Sequence, residues 1–160
     1  MKILLVCLGN ICRSPTAEAA LREALVEAGV EGVEVDSAGT GDWHVGDPPD
    51  ERMTTAAAAV GLTLTGAARL LDGNDFDSAD LILVMDHANL TDVRALARND
   101  ADRNKVRLFR QFDNDRNADG VPDPYFGDAA GFAHVVDVTR AAAKALVHRL
   151  QTVESAERAR

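Results

Sequence analysis

A cysteine and an arginine near the start of the chain have the spacing of a site for anion chemistry. Five residues separate Cys7 from Arg13 in the run Val6-Cys7-Leu8-Gly9-Asn10-Ile11-Cys12-Arg13-Ser14. A glycine-containing loop of this length can turn successive backbone N–H groups toward one point, where they bind an anion together with the guanidinium. The same dipoles and the arginine favour the thiolate form of a cysteine. The pattern predicts phosphoryl transfer through sulfur, whereas a buried structural cysteine beside an unrelated arginine is the alternative.

An aspartate further along the chain has the chemistry that such a reaction needs next. The leaving group of a phosphate monoester requires a proton, which a carboxyl group can donate before it accepts another from water. Asp123 lies between Pro122 and Pro124, which restrict the backbone that carries it. Tyr125 and Phe126 follow and offer aromatic surface to an aryl substrate. Asp123 is therefore the predicted general acid and base, with an ordinary Asp-Pro turn as the alternative.

The elements around the first motif explain how it is positioned. The apolar residues 2–6 predict a buried strand, and Ser14-Pro15 predicts the start of a helix that Ser14 caps. Apolar residues on one face continue this helix to a stop at Gly29. A strand, a tight loop and a helix N-terminus together form an anion site.

The remaining pattern alternates strands and helices. Further strands are predicted at residues 33–35, 81–85 and 106–108. Further helices are predicted at residues 47–60, with Asp47 as the cap, and at residues 89–98 and 132–150. This order predicts a parallel sheet with right-handed crossovers, in which ligands bind at the carboxyl ends of the strands. The loops 7–14, 36–44 and 111–128 are therefore expected to converge. Residues 1–152 are predicted to form a single domain, and residues 153–160 a polar C-terminal tail.

Composition narrows the classes of partner. The chain has 160 residues and a net charge of -9, which argues against binding to nucleic acid or to an anionic membrane. Phosphate affinity must then be local, from Arg13 and the loop amides. The apolar start is interrupted at Gly9-Asn10 and lacks a cleavage site, so a signal peptide is not expected. Two cysteines do not make a disulfide framework, which predicts a cytoplasmic protein.

The two motifs together resemble those of the low-molecular-weight protein-tyrosine phosphatases. The resemblance extends from residues 6–15 to residues 123–125. It includes the intervening segments 36–40, 43–46, 75–76 and 85–86 together with Asn89, so it covers nearly the whole chain. It implies a three-layer α/β/α fold with a four-stranded parallel sheet in the order 2-1-3-4 and a phosphate loop after the first strand. It also implies phosphotyrosine-containing proteins as substrates, inorganic phosphate as product and inhibitor, and neither metal nor organic cofactor.

The resemblance also implies roles for matching residues. Cys7 is the nucleophile that forms a cysteinyl-phosphate, Arg13 binds the phosphoryl group, and Asp123 is the general acid and then the base. Ser37 and Asp86 are expected to support the site. The residues expected to form the loop or line the cleft are Leu8, Gly9, Asn10, Ile11, Cys12, Ser14, Trp43, Tyr125 and Phe126.

The chain departs from the family pattern at one point. Family members often carry a histidine shortly before the arginine that matches Arg69, and that histidine belongs to the hydrogen-bond network behind the phosphate loop. Here residues 65–69 read Thr-Gly-Ala-Ala-Arg. The family's histidine is therefore missing from that network in this chain.

Single residues distinguish this function from others that similar folds perform. Arsenate reductases of similar fold relay a disulfide through later cysteines, and this chain has none after Cys12. Protein-arginine phosphatases have threonine where Ile11 stands, and an apolar Ile11 favours phosphotyrosine. A non-catalytic phosphate-binding module and a hydrolase that pairs Cys7 with a histidine are the remaining alternatives.

Cys12 and residues 115–120 suggest two further hypotheses, one on redox chemistry and one on calcium binding. Cys12 lies in the same loop as Cys7, which suggests a reversible, peroxide-driven disulfide that makes the enzyme redox-sensitive. Residues 115–120 match the opening of a calcium loop, but the twelfth position is Phe126 rather than glutamate, which favours a simple turn.

Overall fold

The sheet has the predicted parallel topology. In the computed structural model, which describes residues 1–115 and 117–159, one sheet has the strand order β2-β1-β3-β4. Its strands are β1 (Lys2–Cys7), β2 (Glu34–Gly39), β3 (Leu81–Val84) and β4 (Val106–Leu108). Parallel register places Val6 opposite both Ala38 and Val84, so the carboxyl ends of the three longest strands meet at one edge.

Helices cover both faces of this sheet. They are α1 (Arg13–Glu27), α2 (Glu51–Ala58), α3 (Gly73–Ser78), α4 (His87–Leu96), α5 (Asp100–Lys105) and α6 (Ala129–Arg158), with a 3-10 helix at Phe109–Phe112. Ile3 and Leu5 of β1 pack in a core with α1, α2 and α6, whereas Leu4 and Val6 pack in a second core with α3 and α4. Because β1 is buried on both faces, the three-layer prediction is confirmed.

All four predicted helices start at a different residue from the one predicted, and the differences at α1 and α2 involve the loop between β1 and α1. Helix α1 begins at Arg13 after Cys12 rather than at Pro15 after Ser14, because the Ser14 hydroxyl points to Cys7 instead of capping. Helix α2 begins at Glu51, and its cap is Asp50 rather than Asp47. The Asp50 carboxylate accepts hydrogen bonds from the N–H groups of Arg52 and Met53, and its own N–H donates to Ile11 O at 2.8 Å. The start of α2 is thereby tied to the Cys7 loop.

Two helices were not predicted. Helices α3 and α5 have six residues each, which is too short to show an apolar period. Side-chain caps define both of them, since Asp72 forms a capping box with Asp75 and Asn99 accepts from Asp102 N. β2 is also longer than predicted and continues through Ser37 to Gly39.

The last helix passes through the predicted domain boundary. Helix α6 has 30 residues and continues to Arg158, and residues 152–159 are exposed. The residues of the predicted tail are thus a polar extension of this helix as far as the structure describes them.

The described residues contain neither a membrane-spanning helix nor a cluster of metal ligands. No described helix is long and apolar enough to cross a membrane. The calcium-like run includes Arg116, which lies outside the described residues; among the others, no group of three or more His, Cys, Asp or Glu side chains is placed to hold a metal ion.

Candidate active site

The Cys7 sulfur lies at the base of a loop that joins β1 to α1. Cys7 is the last residue of β1 and is 2% exposed. Its Sγ accepts a hydrogen bond from Asn10 N at 3.2 Å and lies 3.0 Å from Ser14 Oγ. Hydrogen bonds to sulfur stabilise a thiolate, so the loop is suited to hold a nucleophile.

The side chain of Asn10 makes three hydrogen bonds that hold this loop in place. Its φ of 56° lies in the left-handed region, which asparagine tolerates better than most residues. Its amide nitrogen donates to Ser14 Oγ at 2.8 Å and to Ser37 Oγ at 3.0 Å, while its amide oxygen accepts from Arg69 N at 3.0 Å. One buried side chain therefore connects the loop to α1, to β2 and to the segment that precedes α3.

Glu18 completes the network behind the loop, where the sequence left a gap. Ser37 Oγ is 2.6 Å from Glu18 Oε2, and Glu18 Oε1 accepts from Arg22 at 2.8 Å. The hydrogen bonds thus run from Cys7 through Ser14, Asn10 and Ser37 to this carboxylate. Sequence reasoning missed Glu18 because its i,i+4 pairing with Arg22 resembles an ordinary helix-surface pair.

The end of β2 must approach the loop closely. A Cβ at Gly39 would stand 2.8 Å from Leu8 O and 3.1 Å from the Asn10 Cβ. Any other residue would push the loop away from the sheet, so glycine is required there for close packing.

Arg13 is buried and held at both of its terminal nitrogens. Nη1 donates to Asp86 Oδ2 at 2.5 Å and to Val121 O at 3.2 Å, and Nη2 lies 3.5 Å from Asp123 Oδ2. Asp86 also caps α4 by accepting from Asn89 N. The guanidinium is fixed between the end of β3 and the Asp123 loop, which brings the two motifs into one site.

A cleft of about 280 Å³ opens above Cys7. It contains ten of the predicted site residues: Cys7, Leu8, Gly9, Ile11, Cys12, Arg13, Trp43, Asp123, Tyr125 and Phe126. The other four predicted residues do not line the cleft. Asn10 and Ser14 hydrogen-bond to Cys7, Asp86 hydrogen-bonds to Arg13, and Ser37 hydrogen-bonds to Asn10. The predicted site residues therefore form two groups, one that lines the cleft and one that supports the loop from behind.

The mouth of the cleft is aromatic and exposed. Trp43 is 71% and Phe126 is 97% exposed, and the rings of Tyr125 and Phe126 meet edge to face with centroids 4.9 Å apart. Exposed aromatic side chains around a cleft offer stacking surface to a flat ring.

Two residues at this mouth were missed from the sequence. His44 lines the cleft, but its Nδ1 pairs with Asp47 Oδ2 at 3.2 Å, and the hydrogen bonds of Cys7 go to Ser14 and Asn10. Arg52 donates to Tyr125 O at 3.0 Å and lies 5.2 Å from the centre of that ring. His44 lies in the segment 43–46 that carries part of the family resemblance, whereas no sequence signal pointed to Arg52.

The two cysteines differ in environment. Burial, followed by the nearby charge of Asp50, raises the pKa of Cys12 to about 12. Cys12 is therefore a protonated thiol at neutral pH, and Cys7 is the sulfur placed for nucleophilic chemistry.

This fold and site define a family of hydrolases. The family model described as low molecular weight phosphotyrosine protein phosphatase matches residues 2–156. The chain belongs to this family.

Individual relatives agree with the assignment. A low molecular weight protein-tyrosine-phosphatase from Streptomyces coelicolor is 41% identical over 150 residues, which is 91% of each chain. The crystal structure of a protein tyrosine phosphatase from Entamoeba histolytica superposes with a TM-score of 0.92 at 33% identity, covering 96% of this chain and 99% of that one. The Drosophila arginine phosphatase DARP superposes with a TM-score of 0.88 at 29% identity, covering 94% and 98%. The fold therefore accommodates more than one phosphorylated side chain.

Proposed function

We propose that this protein hydrolyses phosphotyrosine in proteins through a cysteinyl-phosphate intermediate. The observation that carries the proposal is the convergence of Cys7, Arg13 and Asp123 on one cleft with an aromatic mouth. The thiol supplies a nucleophile, the guanidinium a phosphate ligand and the carboxyl group a proton carrier.

In the first step the Cys7 thiolate attacks phosphorus. The loop N–H groups and Arg13 stabilise the charge that develops on the equatorial oxygens. Asp123, whose side chain is 46% exposed, donates a proton to the departing tyrosine oxygen. The S–P bond forms as the P–O bond to tyrosine breaks.

In the second step water attacks the cysteinyl-phosphate. The Asp123 carboxylate accepts a proton from that water, and the S–P bond breaks to release inorganic phosphate. Ser14 Oγ, 3.0 Å from Cys7 Sγ, donates a hydrogen bond to the departing thiolate. Because inorganic phosphate fits the same cradle, it is expected to inhibit competitively.

Phosphoarginine is the second candidate substrate, since an arginine phosphatase shares the fold. Ile11 lines the cleft, and the family resemblance implies threonine at this position in protein-arginine phosphatases. An apolar side chain offers no hydroxyl to a phosphoguanidinium and packs against an aryl ring, which favours phosphotyrosine.

The test compares two peptides that differ only in carrying phosphotyrosine or phosphoarginine. We expect the higher kcat/KM on phosphotyrosine, and no turnover of either peptide by Cys7→Ser. A higher kcat/KM on phosphoarginine would reverse the assignment. Phosphate release by Cys7→Ser would rule out the covalent mechanism, and binding without turnover by the wild type would indicate a phosphate-binding module.

The proposal includes a cytoplasmic location and sensitivity to peroxide. Both cysteines are free, and a thiol nucleophile works in a compartment that keeps thiols reduced. Peroxide converts the Cys7 thiolate to a sulfenic acid, and attack by the Cys12 thiol on that sulfur forms a disulfide and releases water.

Cell fractionation tests the location. Peptide mapping after mild peroxide tests the disulfide, and sulfinic acid at Cys7 without a linked peptide would contradict it.

A further inference from the structure

A second cavity lies beside the catalytic cleft, between α2 and the start of α6. It encloses about 650 Å³. We call it the α2–α6 groove, and its lining residues are Glu51, Arg52, Thr55, Ala56, Ala59, Val60, Gly127, Asp128, Ala129, Phe132, Ala133, Val136 and Asp137. Phe132 and Val136 are buried and form its floor, while the alanines and Val60 extend the apolar surface. The groove is therefore apolar below and polar only around its edge.

Arg52 lines the groove and contacts Tyr125, a residue that lines the catalytic cleft. Its guanidinium carbon lies 5.2 Å from the centre of the Tyr125 ring and 4.7 Å from that of the Phe132 ring. Tyr125 lines the cleft and Phe132 lines the groove. A chain that leaves the cleft over Tyr125 and Arg52 therefore enters the groove directly.

The edge of the groove is negatively charged. Glu51, Asp128 and Asp137 all line it, and none of them makes an ion pair with another described residue. The charge of Arg52 is already paired, because its Nη2 lies 2.9 Å from Asp50 Oδ2. The net field at the groove therefore attracts a cation.

We propose that the α2–α6 groove binds a lysine or arginine side chain of the phosphoprotein substrate, close in sequence to its phosphotyrosine. The aliphatic stem of that side chain lies on Phe132 and Val136, and its cationic head lies among the carboxylates. The inference rests on the proposed function and names the substrate class for it: phosphotyrosine with a nearby basic residue. It also gives the strongly acidic surface a role in choosing substrates.

The experiment measures kcat/KM on phosphotyrosine peptides of otherwise constant sequence. A single lysine is placed in turn at each of the four positions on either side of phosphotyrosine, and each peptide is paired with one that carries glutamate there. At one or two positions we expect lysine to exceed glutamate by about three- to tenfold, as one partly exposed ionic contact and a buried stem allow. Salt is expected to reduce this ratio.

Two variants locate the effect. Asp137→Asn removes one edge carboxylate, and Ala133→Phe fills the groove from an exposed position on α6. Both are expected to lower the lysine-to-glutamate ratio while leaving kcat/KM on a small aryl phosphate unchanged. Asp92→Asn on α4 is the matched control, because Asp92 is exposed, unpaired among the described residues and absent from the groove.

The outcomes separate the two proposals. A ratio near one at every position, with the aryl phosphate still hydrolysed, would overturn the groove and leave the phosphatase function standing. The same follows if Ala133→Phe keeps the full ratio, or if Asp92→Asn lowers it as much as Asp137→Asn. Failure to hydrolyse the aryl phosphate would overturn the phosphatase function, and the groove inference with it.

Discussion

The two halves of the site are built in opposite ways. In the Cys7 loop, Asn10, Arg13 and Ser14 are at most 4% exposed and their polar atoms are hydrogen-bonded. In the Asp123 loop, Asp123 is nearly half exposed, and among the described residues its carboxylate has hydrogen-bond partners only in Tyr125 N and Arg13 Nη2. Fixed dipoles stabilise a transition state best when they need no rearrangement, whereas a proton carrier must reach first the leaving group and then water. The buried half binds charge, and the open half moves protons.

The contrast predicts the largest loss of activity at the point where the two halves touch. Arg13→Lys keeps one charge but loses the planar fork that meets Asp86, Val121 and Asp123. We expect kcat/KM on phosphotyrosine peptide to fall by about 10³-fold, at the upper end of losing one oriented donor. Steady-state kinetics measure this. A loss below tenfold would show that the loop amides bind the phosphate without the arginine.

Asp123→Asn is expected to separate chemistry from stability. The variant keeps the shape of the side chain but cannot donate the proton, so kcat/KM, which reports the step that releases the leaving group, falls by about 10²–10⁴-fold on a phenyl phosphate. The loss should be much smaller with a nitrophenyl phosphate, whose leaving group needs no proton. Because Asp123 is exposed, the melting temperature should stay within about 2 °C of wild type. An equal loss on both substrates would remove Asp123 from the role of acid.

Asn10→Ala is the corresponding test in the buried half, where activity and stability should fall together. The substitution removes three hydrogen bonds and places alanine at a positive φ. We expect a loss of about 2–4 kcal/mol in the free energy of unfolding and about a tenfold loss in kcat/KM. Denaturant melts and kinetics on the same preparation measure both. Unchanged stability with normal activity would mean that the backbone alone holds the loop.

The cysteines extend the contrast to pH. The pKa of Cys12 is about 12 in the folded protein, against an ordinary value of 9.0. Between these two pH values the Cys12 thiol is protonated in the folded protein but ionised in the unfolded chain. Its contribution to stability is present below about pH 9 and is lost as pH rises toward 12. At pH 7, iodoacetamide should therefore label Cys7 and spare Cys12, as peptide mapping would show. Equal labelling of both residues would contradict the difference in environment.

The same contrast explains what the sequence could predict. Cys7, Arg13 and Asp123 are residue types with specific chemistry, set between strong strand and turn signals, and the structure brings all three to one cleft. Glu18 and Arg52 are ordinary charged helix residues until tertiary contacts give them partners. Arg52 donates to Tyr125, which is 73 positions away, and no local pattern encodes that contact.

Local energetics also explain the misplaced boundaries. Asp47 and Asp50 are both suitable caps in sequence, and the choice between them depends on the hydrogen bond from Asp50 N to Ile11 O. Serine is a common helix cap, yet the Ser14 hydroxyl hydrogen-bonds to the Cys7 sulfur instead. In both places a hydrogen bond to a residue of the Cys7 loop determines where the helix begins. These two predictions were therefore wrong because of contacts at the site itself.

The smallest effect is expected farthest from both halves. Deletion of residues 153–160 removes the exposed end of α6, which makes no contact with the cleft or the α2–α6 groove among the described residues. We expect unchanged kcat/KM on phosphotyrosine peptide and a melting temperature lowered by about 2 °C or less, since only exposed helical turns are lost. Kinetics and thermal melts of the shortened chain measure both quantities. A several-fold change in kcat/KM would show that the functional domain extends beyond residue 152. It would also indicate that the end of α6 helps substrates to reach the exposed Asp123 half of the site.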